Sequence, residues 1–395
     1  MNSESKEIKV TPRILMGPGP SDVDPRVLRA MATPLVGHLD PEFLEIMNES
    51  MDMLRRLFQT NNTLTIPISA TGSAGMEAAF CNVIEDGDEI LICVNGVFGQ
   101  RMTDVAERCR AKLTLIEADW GKIIPPDKVK IELDKKKFKV VAIVHAETST
   151  GALQPLEEIG KMVREHDSLF LVDTVTSLAG APVKVDEWLI DICYSGTQKC
   201  LSCPPGLSPI TFGERAMTAI RNRKSKVQSW YLDMNMIERY WGSERFYHHT
   251  APISMIYAIH EALRIIHEEG LENRFKRHRV NASALWAGLE AMGMKLLAQE
   301  GYRAPMLTSV GIPDGIVDLN VRKKLLGNYG IELGGSLGEL KGKAWRVGLM
   351  GHSSTKRNVL FFLSTLESIL SEEGYKKIER GAGVDSANQV FDSNS

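Results

Sequence analysis

Hydrophobic positions along the chain follow two spacings in turn, one typical of strands and one typical of helices. Short runs rich in Val, Ile and Leu stand at 89–94, 139–145, 168–173 and 190–195. Segments with a helical spacing of apolar residues come between them. Strands connected in this way by helices are typical of βαβ units, in which a mainly parallel sheet is covered on both faces. The predicted fold class is therefore α/β.

Helices are predicted wherever apolar residues recur every three or four positions. Asp40 and Pro41 suit the start of the first such segment, and Gly270 suits the end of the fourth. The predicted helices occupy residues 41–58, 97–110, 155–166, 252–270, 274–292 and 355–371.

The pattern changes after Gly270, where strands predicted at 306–312 and 343–349 stand among helices and indicate a smaller α+β domain. The last residues are polar and poor in large apolar groups, which predicts disorder. The expected organisation is an N-terminal arm (1–22), a large cofactor-binding domain (23–272), a small C-terminal domain (273–378) and a disordered tail (379–395).

Composition excludes several classes of function. With 47 basic and 50 acidic residues, the net charge of the 395-residue chain is −3, which gives no reason to expect a nucleic-acid partner. Runs of about 18 apolar residues are missing, so no membrane partner is expected. Six irregularly spaced cysteines, a polar start and a C-terminal SNS instead of SKL favour a reducing compartment, the cytoplasm.

Lys199 is the first candidate for chemistry, because SGTQK (195–199) follows an apolar strand pattern. Ligands of open α/β sheets bind at the C-terminal edge of the strands. A lysine there whose pKa is lowered by partial burial can form a Schiff base with an aldehyde. The alternative is a surface lysine in a loop, since lysines are rarely buried.

Asp173 ends the run 168–173, so its carboxylate should emerge at the same edge. A carboxylate beside a pyridine nitrogen keeps that nitrogen protonated and makes the ring a better electron sink. The alternative is an aspartate that caps the next turn.

A candidate anion site lies in SATGSAGMEAAF, where Thr71, Gly72 and Ser73 precede a helical pattern. Backbone N–H groups and hydroxyls could converge there on a phosphate, although many helices begin this way only to satisfy their own first turn.

After the strand 89–94, Phe98 could lie flat on an aromatic cofactor or be a core residue.

Further candidates lie elsewhere. Thr148 belongs to HAETSTG, a cluster of small hydroxyl donors that could also be a polar turn. Tyr247 and Thr250 flank a double histidine that makes a poor metal site, and no metal is expected. Arg346 interrupts an apolar strand pattern, where its guanidinium could bind a substrate carboxylate in two parallel hydrogen bonds or point to solvent.

Together these segments resemble class V aminotransferases of fold type I, in particular the alanine:glyoxylate and serine:pyruvate aminotransferases. The resemblance covers residues 12–372 and implies a pyridoxal-phosphate enzyme with a seven-stranded, mainly parallel sheet in its large domain. It is carried in order by LMGPGPSDVDPRVL, SATGSAGMEAA, VNGVFGQR, HAETSTGALQPL, LVDTVTSLAG, YSGTQK, YHHTAPI and KAWRVGLMG.

The resemblance implies a role for each matching residue. Lys199 would carry pyridoxal 5'-phosphate as a Schiff base, Asp173 would hold the pyridine nitrogen, and Gly19 and Arg346 would bind the substrate. Tyr247 and Thr250 would reach the phosphate from the second subunit of a homodimer. The remaining cofactor-binding residues would be Thr71, Gly72, Ser73 and Gln198 at the phosphate, Phe98 and Val175 at the ring faces, and Thr148 at the phenolic side.

The implied activity is transfer of the amino group of alanine or serine to glyoxylate or a similar small 2-oxo acid in a ping-pong cycle. Many relatives have tryptophan where Phe98 stands and histidine where Ser73 stands, which leaves the cofactor prediction intact.

Three alternatives remain. Cysteine desulfurases have a histidine before the lysine and a later nucleophilic cysteine, whereas here Gln198 precedes Lys199 and Cys203 is the last cysteine. A non-catalytic scaffold would not need to keep Lys199, Asp173 and Arg346 together. Ureidoglycine:glyoxylate aminotransferases are the stronger rival, although Trp230 stands where the resemblance would require their amide-binding asparagine.

Overall fold

The strands form where the sequence has its short apolar runs. The computed structural model describes residues 7–376 and 379–394. Its strands are β1 (Ile14–Leu15), β2 (Leu64–Ile68), β3 (Glu89–Val94), β4 (Lys112–Glu117), β5 (Val140–Val144), β6 (Ala146–Glu147), β7 (Ala152–Leu153), β8 (Leu169–Asp173), β9 (Ile192–Tyr194), β10 (Ser208–Phe212), β11 (Leu307–Gly311), β12 (Ile331–Glu332), β13 (Gly334–Gly335) and β14 (Ala344–Gly348).

All six predicted helical segments are helices in the structure, with ends within a few residues of those predicted, and the structure adds further helices. The first long one begins at Pro41, where the Asp40 side chain accepts a hydrogen bond from the backbone N–H of Glu42 at 2.9 Å. The helices are α1 (Pro25–Met31), α2 (Pro41–Phe58), α3 (Gly72–Val83), α4 (Val97–Arg108), α5 (Pro126–Lys135), α6 (Glu157–Glu165), α7 (Glu214–Arg221), α8 (Met234–Trp241), α9 (Ile253–Glu269), α10 (Leu271–Ala291), α11 (Asp318–Tyr329), α12 (Lys356–Glu372) and α13 (Ala382–Ser393).

The central sheet of the described residues has seven strands in the order β2-β10-β9-β8-β5-β3-β4. Only β10 runs antiparallel to its neighbours in this sheet, β2 and β9. Every residue of β5 and β8 is buried, as expected for central strands that helices cover on both faces. The predicted α/β class and the mainly parallel sheet are confirmed.

A second apolar core lies in the C-terminal part of the chain, around fully buried Trp345, Val347 and Phe362. Its antiparallel sheet has the order β11-β14-β13. The predicted domain boundary at 272/273 falls in the first turn of α10 and stays a prediction.

The N-terminal segment is attached to this second part of the chain. Strand β1 pairs in parallel with β12, and the N–H of Gly348 donates to the carbonyl of Met16 at 2.7 Å. Among the residues described, no helix is both long and apolar enough to cross a membrane.

The prediction of a disordered tail at 379–395 is wrong, because α13 lies in this segment and packs on α10. Ala387 and Phe391 are buried, and a Cβ added to Gly288 would lie 2.7 Å from the carbonyl oxygen of Gly383. The tail has few large apolar residues, but small residues let the two helices approach closely. A composition rule that counts large apolar groups misses such a contact.

Candidate active site

A cavity of about 180 Å³ lies at the C-terminal edge of the central sheet. Strands β5 and β8 end there at Val144 and Asp173, and Lys199 follows the end of β9. The carboxyl ends of parallel strands meet at one edge of a sheet, so the topology brings these residues together. The cavity is lined by Gly72, Ser73, Met76, Phe98, Arg101, Val144, Ala146, Thr148, Asp173, Val175, Thr176, Gln198 and Lys199.

Lys199 is buried, with 8% of its surface exposed, so the alternative of a surface lysine is excluded. The hydroxyl of Ser21 donates to the carbonyl of Lys199 at 2.6 Å, and the side-chain amine donates to the carbonyl of Pro18. Burial, together with the charge of Arg346, lowers the pKa of the amine to about 8. A neutral, nucleophilic amine is therefore accessible slightly above neutral pH.

Both oxygens of the Asp173 carboxylate are bound within the protein. The N–H of Val175 donates to Oδ1 at 2.8 Å, and the Tyr194 hydroxyl donates to Oδ2 at 2.8 Å. Burial raises the pKa of Asp173 to about 6, while these two hydrogen bonds act in the opposite direction. The carboxylate is thus ionised at neutral pH and faces the cavity.

One end of the cavity has the features of an anion site. Helix α3 begins there, and the side chain of its N-cap, Thr71, makes no capping hydrogen bond. The first backbone N–H groups of a helix have no acceptor within the helix and favour negative charge. Gly72 and Ser73 line the cavity at this end, and Gln198, whose side-chain NH₂ group can donate two hydrogen bonds, lines it as well.

The other walls suit a flat ring. Phe98 and Val175 both line the cavity, and the guanidinium carbon of Arg101 lies 4.8 Å from the centroid of the Phe98 ring. Thr148 is almost fully buried and lines the same space. The structure therefore brings Phe98, Thr148 and Val175 to Lys199, and it adds Arg101, which the sequence prediction had missed.

Glu147 is a second buried carboxylate beside Asp173, and the sequence prediction missed it. Its Oε2 accepts from the N–H of Phe98 at 3.0 Å, and its Oε1 accepts from the N–H and the hydroxyl of Ser149 at 3.0 and 2.6 Å. Burial raises its pKa despite these hydrogen bonds. The available signal was its position in HAETSTG, just after a buried strand, as for Asp173.

Arg346 lies on β14 and is 8% exposed, so the alternative of a solvent-facing arginine is wrong. Its Nε donates to the carbonyl of Gly335 at 2.9 Å, which leaves its terminal nitrogens for a ligand. Within the described part of the chain no carboxylate lies within 4.0 Å of the guanidinium. Burial lowers its pKa to about 10, so it remains a cation at neutral pH.

Gly19 touches the same lysine. Its φ is +107°, and an added Cβ would lie 2.6 Å from Nζ of Lys199, so only glycine fits there.

Tyr247 and Thr250 do not line the cavity of this chain, and Tyr247 is 54% exposed. The predicted contact of these two residues with the phosphate of a second subunit stays a prediction.

Comparisons with known proteins show similarity over most of the chain. The sequence model of the family "Aminotransferase class-V" matches residues 15–340. The (S)-ureidoglycine–glyoxylate transaminase of Bacillus subtilis (strain 168) is 44% identical, and the match covers 99% of this chain and 98% of that protein. The alanine–glyoxylate aminotransferase of Callithrix jacchus is 38% identical, with 94% and 91% covered.

Solved structures give the same result. The ureidoglycine-glyoxylate aminotransferase of Bacillus subtilis superimposes with a TM-score of 0.96 at 46% identity, covering 98% of this chain and all of that one (100%). An alanine–glyoxylate aminotransferase from Nostoc sp. superimposes with a TM-score of 0.91 at 49% identity, covering 93% of this chain and 97% of that one.

Proposed function

Because the chain belongs to the class-V aminotransferase family of pyridoxal-phosphate enzymes, we propose that it moves the amino group of alanine or serine to glyoxylate or a similar small 2-oxo acid. One observation carries this proposal. A buried lysine of lowered pKa and an ionised carboxylate line one cavity at the edge of the sheet, and Arg346, which has no ion-pair partner among the described residues, lies near enough for its charge to lower the pKa of the lysine. These are the groups that an aminotransferase needs for its cofactor and for a substrate carboxylate.

The residues present fit pyridoxal 5'-phosphate at each end of the cavity. The start of α3 and the side chain of Gln198 would hold the phosphate, Asp173 the ring nitrogen, and Thr148 the phenolic oxygen. Phe98 and Val175 would cover the two faces of the ring. When bound, the cofactor supplies a carbonyl carbon for the incoming amine and a ring that stores the electron pair released at the substrate Cα.

Lys199 has two roles in this proposal. It is the covalent attachment point, and once a substrate amine has replaced it, its amine takes the proton from the substrate Cα as general base. A base is most effective when its pKa lies near the working pH, and burial brings Lys199 to about 8. The hydrogen bond from its amine to the carbonyl of Pro18 helps to hold the amine at the cavity wall.

Arg346 binds the substrate carboxylate in our proposal. Its terminal nitrogens form a planar fork that suits a carboxylate in two parallel hydrogen bonds. The hydrogen bond from Nε to Gly335 fixes the plane of the guanidinium. This accounts for a preference for amino acids and 2-oxo acids over simple amines and aldehydes.

Glyoxylate is proposed as the acceptor because it is named for both groups of relatives. The amino donor differs between the two groups of relatives. Ureidoglycine is the alternative donor, favoured by the similarity to the Bacillus subtilis transaminase. We propose alanine or serine as the donor because Trp230 stands where the ureidoglycine enzymes would have an amide-binding asparagine. A tryptophan offers a single N–H donor and no acceptor, whereas the ureido group both donates and accepts hydrogen bonds.

We further propose a homodimer in which Tyr247 and Thr250 reach the phosphate of the other subunit. Their exposure in a single chain, beside the exposed side chains of Phe246 and Trp230, supports this arrangement. A reducing compartment such as the cytoplasm is proposed because the six cysteines are all free and buried.

Separate half-reactions, each with one substrate, test which amino donor the enzyme uses. Alanine or serine should convert the bound cofactor from its visible-absorbing form to pyridoxamine phosphate, and glyoxylate should restore the absorbance. Borohydride should bleach the resting enzyme irreversibly. If ureidoglycine alone removes the absorbance, the alternative donor is correct; a protein that stays colourless with pyridoxal phosphate would refute the whole proposal.

The Arg346→Ala variant tests the carboxylate contact. Loss of one partner of a buried charged pair costs several kcal/mol, so kcat/KM for alanine should fall roughly 100-fold or more. For ethylamine, which lacks the carboxylate, variant and wild type should react at the same slow rate. The exposed Arg357→Ala variant is the matched control and should leave alanine turnover unchanged. Equal losses for alanine and ethylamine would contradict the assignment.

A further inference from the structure

Tyr194 is a fully buried tyrosine whose position the sheet fixes tightly. It ends β9 directly opposite Asp173 in the parallel pair of β8 and β9. The N–H and the hydroxyl of Thr174 both donate to its carbonyl, at 2.8 and 2.9 Å. A Cβ added to Gly75 of α3 would lie 3.4 Å from the Cβ of Tyr194, so the helix packs closely over this residue. Its ring therefore has little freedom to move.

The hydroxyl of Tyr194 has one partner, Oδ2 of Asp173, to which it donates at 2.8 Å. Burial and the neighbouring Asp173 charge raise the pKa of Tyr194 far above its usual range. The phenol is therefore protonated at neutral pH, and its proton is available to the carboxylate. Val175 supplies the other hydrogen bond, from its backbone N–H to Oδ1.

A proton shared between a pyridine nitrogen and a carboxylate has two arrangements, a charged pair with the proton on nitrogen and a neutral pair with the proton on oxygen. Burial of Asp173 and the nearby charge of Glu147 both favour the neutral pair. A hydrogen bond donated to the carboxylate favours the charged pair. Only the charged pair gives the ring its full capacity to accept electrons.

We propose that Tyr194 is a positioning residue that keeps Asp173 ionised and oriented, and so keeps the proton on the ring nitrogen of the bound cofactor. This rests on the role assigned to Asp173 in the proposed function. Tyr194 itself touches neither cofactor nor substrate in the proposed arrangement; it acts through Asp173.

The test is Tyr194→Phe, which removes the hydroxyl and keeps the ring that fills the space. Holoenzyme is prepared with pyridoxal phosphate labelled with ¹⁵N in the ring, and the ¹⁵N chemical shift is recorded. In the variant the resonance should move from the pyridinium value toward that of neutral pyridine. The value of kcat should fall about tenfold, as expected for a lost hydrogen bond to a charged group, while KM for alanine stays within about twofold.

Tyr240→Phe is the matched control, since Tyr240 is also fully buried but its hydroxyl makes no hydrogen bond to Asp173. It should leave both the ¹⁵N resonance and kcat unchanged. Thermal unfolding of the cofactor-free proteins shows that both variants are folded. If Tyr194→Phe lowers the unfolding temperature and leaves the resonance in place, Tyr194 is a purely structural residue and the inference is overturned.

Asp173→Asn separates this inference from the proposed function. In the Asp173→Asn background, adding Tyr194→Phe should shift the ¹⁵N resonance no further, because the carboxylate through which Tyr194 acts is gone. If Asp173→Asn shifts the resonance and Tyr194→Phe does not, only the inference about Tyr194 is wrong. If Asp173→Asn leaves it unchanged, the role assigned to Asp173 is wrong as well.

Discussion

At the scale of single residues, burial decides the protonation state of Lys199. Its pKa is lowered to about 8, from the usual value of 10.5, first by burial and then by Arg346. Since the free amine is the nucleophile, the rate at which pyridoxal phosphate recombines with cofactor-free enzyme should rise with pH and level off above about 8. Stopped-flow absorbance measures this rate directly.

Pyridoxamine phosphate is the control for this profile, because it binds at the same site without condensing with the lysine. Its association rate should show no inflection near pH 8. An inflection for pyridoxal phosphate near the ordinary lysine value of 10.5 would mean that the amine is not desolvated as the structure indicates.

The sequence predicted the residues that act directly better than those that support them. Lys199 and Asp173 each follow a run of buried apolar residues, and that signal can be read without coordinates. Tyr194 and Glu147 act through hydrogen bonds whose existence depends on strand register and on the path of a loop. The position of each residue at or just after a buried strand can be read from the sequence, but no local pattern encodes the contact that it makes.

At the scale of elements, Glu147 connects the start of α4 with the loop that carries Thr148. Its Oε2 accepts a hydrogen bond from the N–H of Phe98, and its Oε1 accepts two from Ser149. In Glu147→Gln an NH₂ group would replace one of the two carboxylate oxygens. That NH₂ group would then face an N–H donor and could not accept its hydrogen bond. The start of α4 should loosen and Phe98 should move from the cavity wall, so Kd for pyridoxal phosphate should rise at least tenfold.

Equilibrium titration of cofactor absorbance measures this Kd. Asp191→Asn is the matched control, because Asp191 is another buried carboxylate that accepts a backbone hydrogen bond at 2.9 Å, but its donor, Phe170, does not line the cavity as Phe98 does. That variant should lose stability and keep its cofactor affinity. Equal losses of affinity in both variants would show that Glu147 acts only through global stability.

Helix α13 depends on a close contact that one methyl group should break. In Gly288→Ala the new Cβ would contact the side chain of Leu363, which can move, and would lie 2.7 Å from the carbonyl oxygen of Gly383, where the backbone cannot yield as a side chain does. Overpacking of this kind costs about 1–3 kcal/mol. The free energy of unfolding should therefore fall, although alanine favours a helix more than glycine does.

Gly327→Ala makes the same change on α11, where an added Cβ meets nothing within 4 Å. It should stabilise the protein by up to about 1 kcal/mol through helix propensity alone. Urea denaturation compares the two variants. If Gly288→Ala is as stable as Gly327→Ala, α13 does not pack on α10 as described.

The elements that the sequence predicted are those that bury one apolar face or lie wholly inside. Strand β3 and helix α2 occupy the predicted residues, 89–94 and 41–58. Helix α13 was missed because its contact uses small residues, which carry little hydrophobic signal. Strand β12 was missed because it is two residues long and is held by β1, a partner from the other end of the chain.

At the scale of the whole molecule, the proposed homodimer makes a prediction about mixtures. Lys199→Ala and Tyr247→Ala should each be nearly inactive alone. When the two are mixed, unfolded and refolded together, mixed dimers should regain one intact site each, or about one quarter of wild-type activity overall. If Tyr247 served the site of its own chain, no mixed dimer would have an intact site and the mixture would stay inactive.

The attachment of the N-terminal segment has a consequence for biosynthesis. Met16 and β1 find their partners only at β12 and Gly348, more than 300 residues later in the chain. During translation the central sheet can begin to form while those partners are still unmade. Until they emerge, the segment lacks these partners and is held only by its contacts with residues made earlier, such as Lys199. A nascent chain stalled before residue 331 should therefore expose Gly17–Gly19 to protease, and release of the finished chain should protect it.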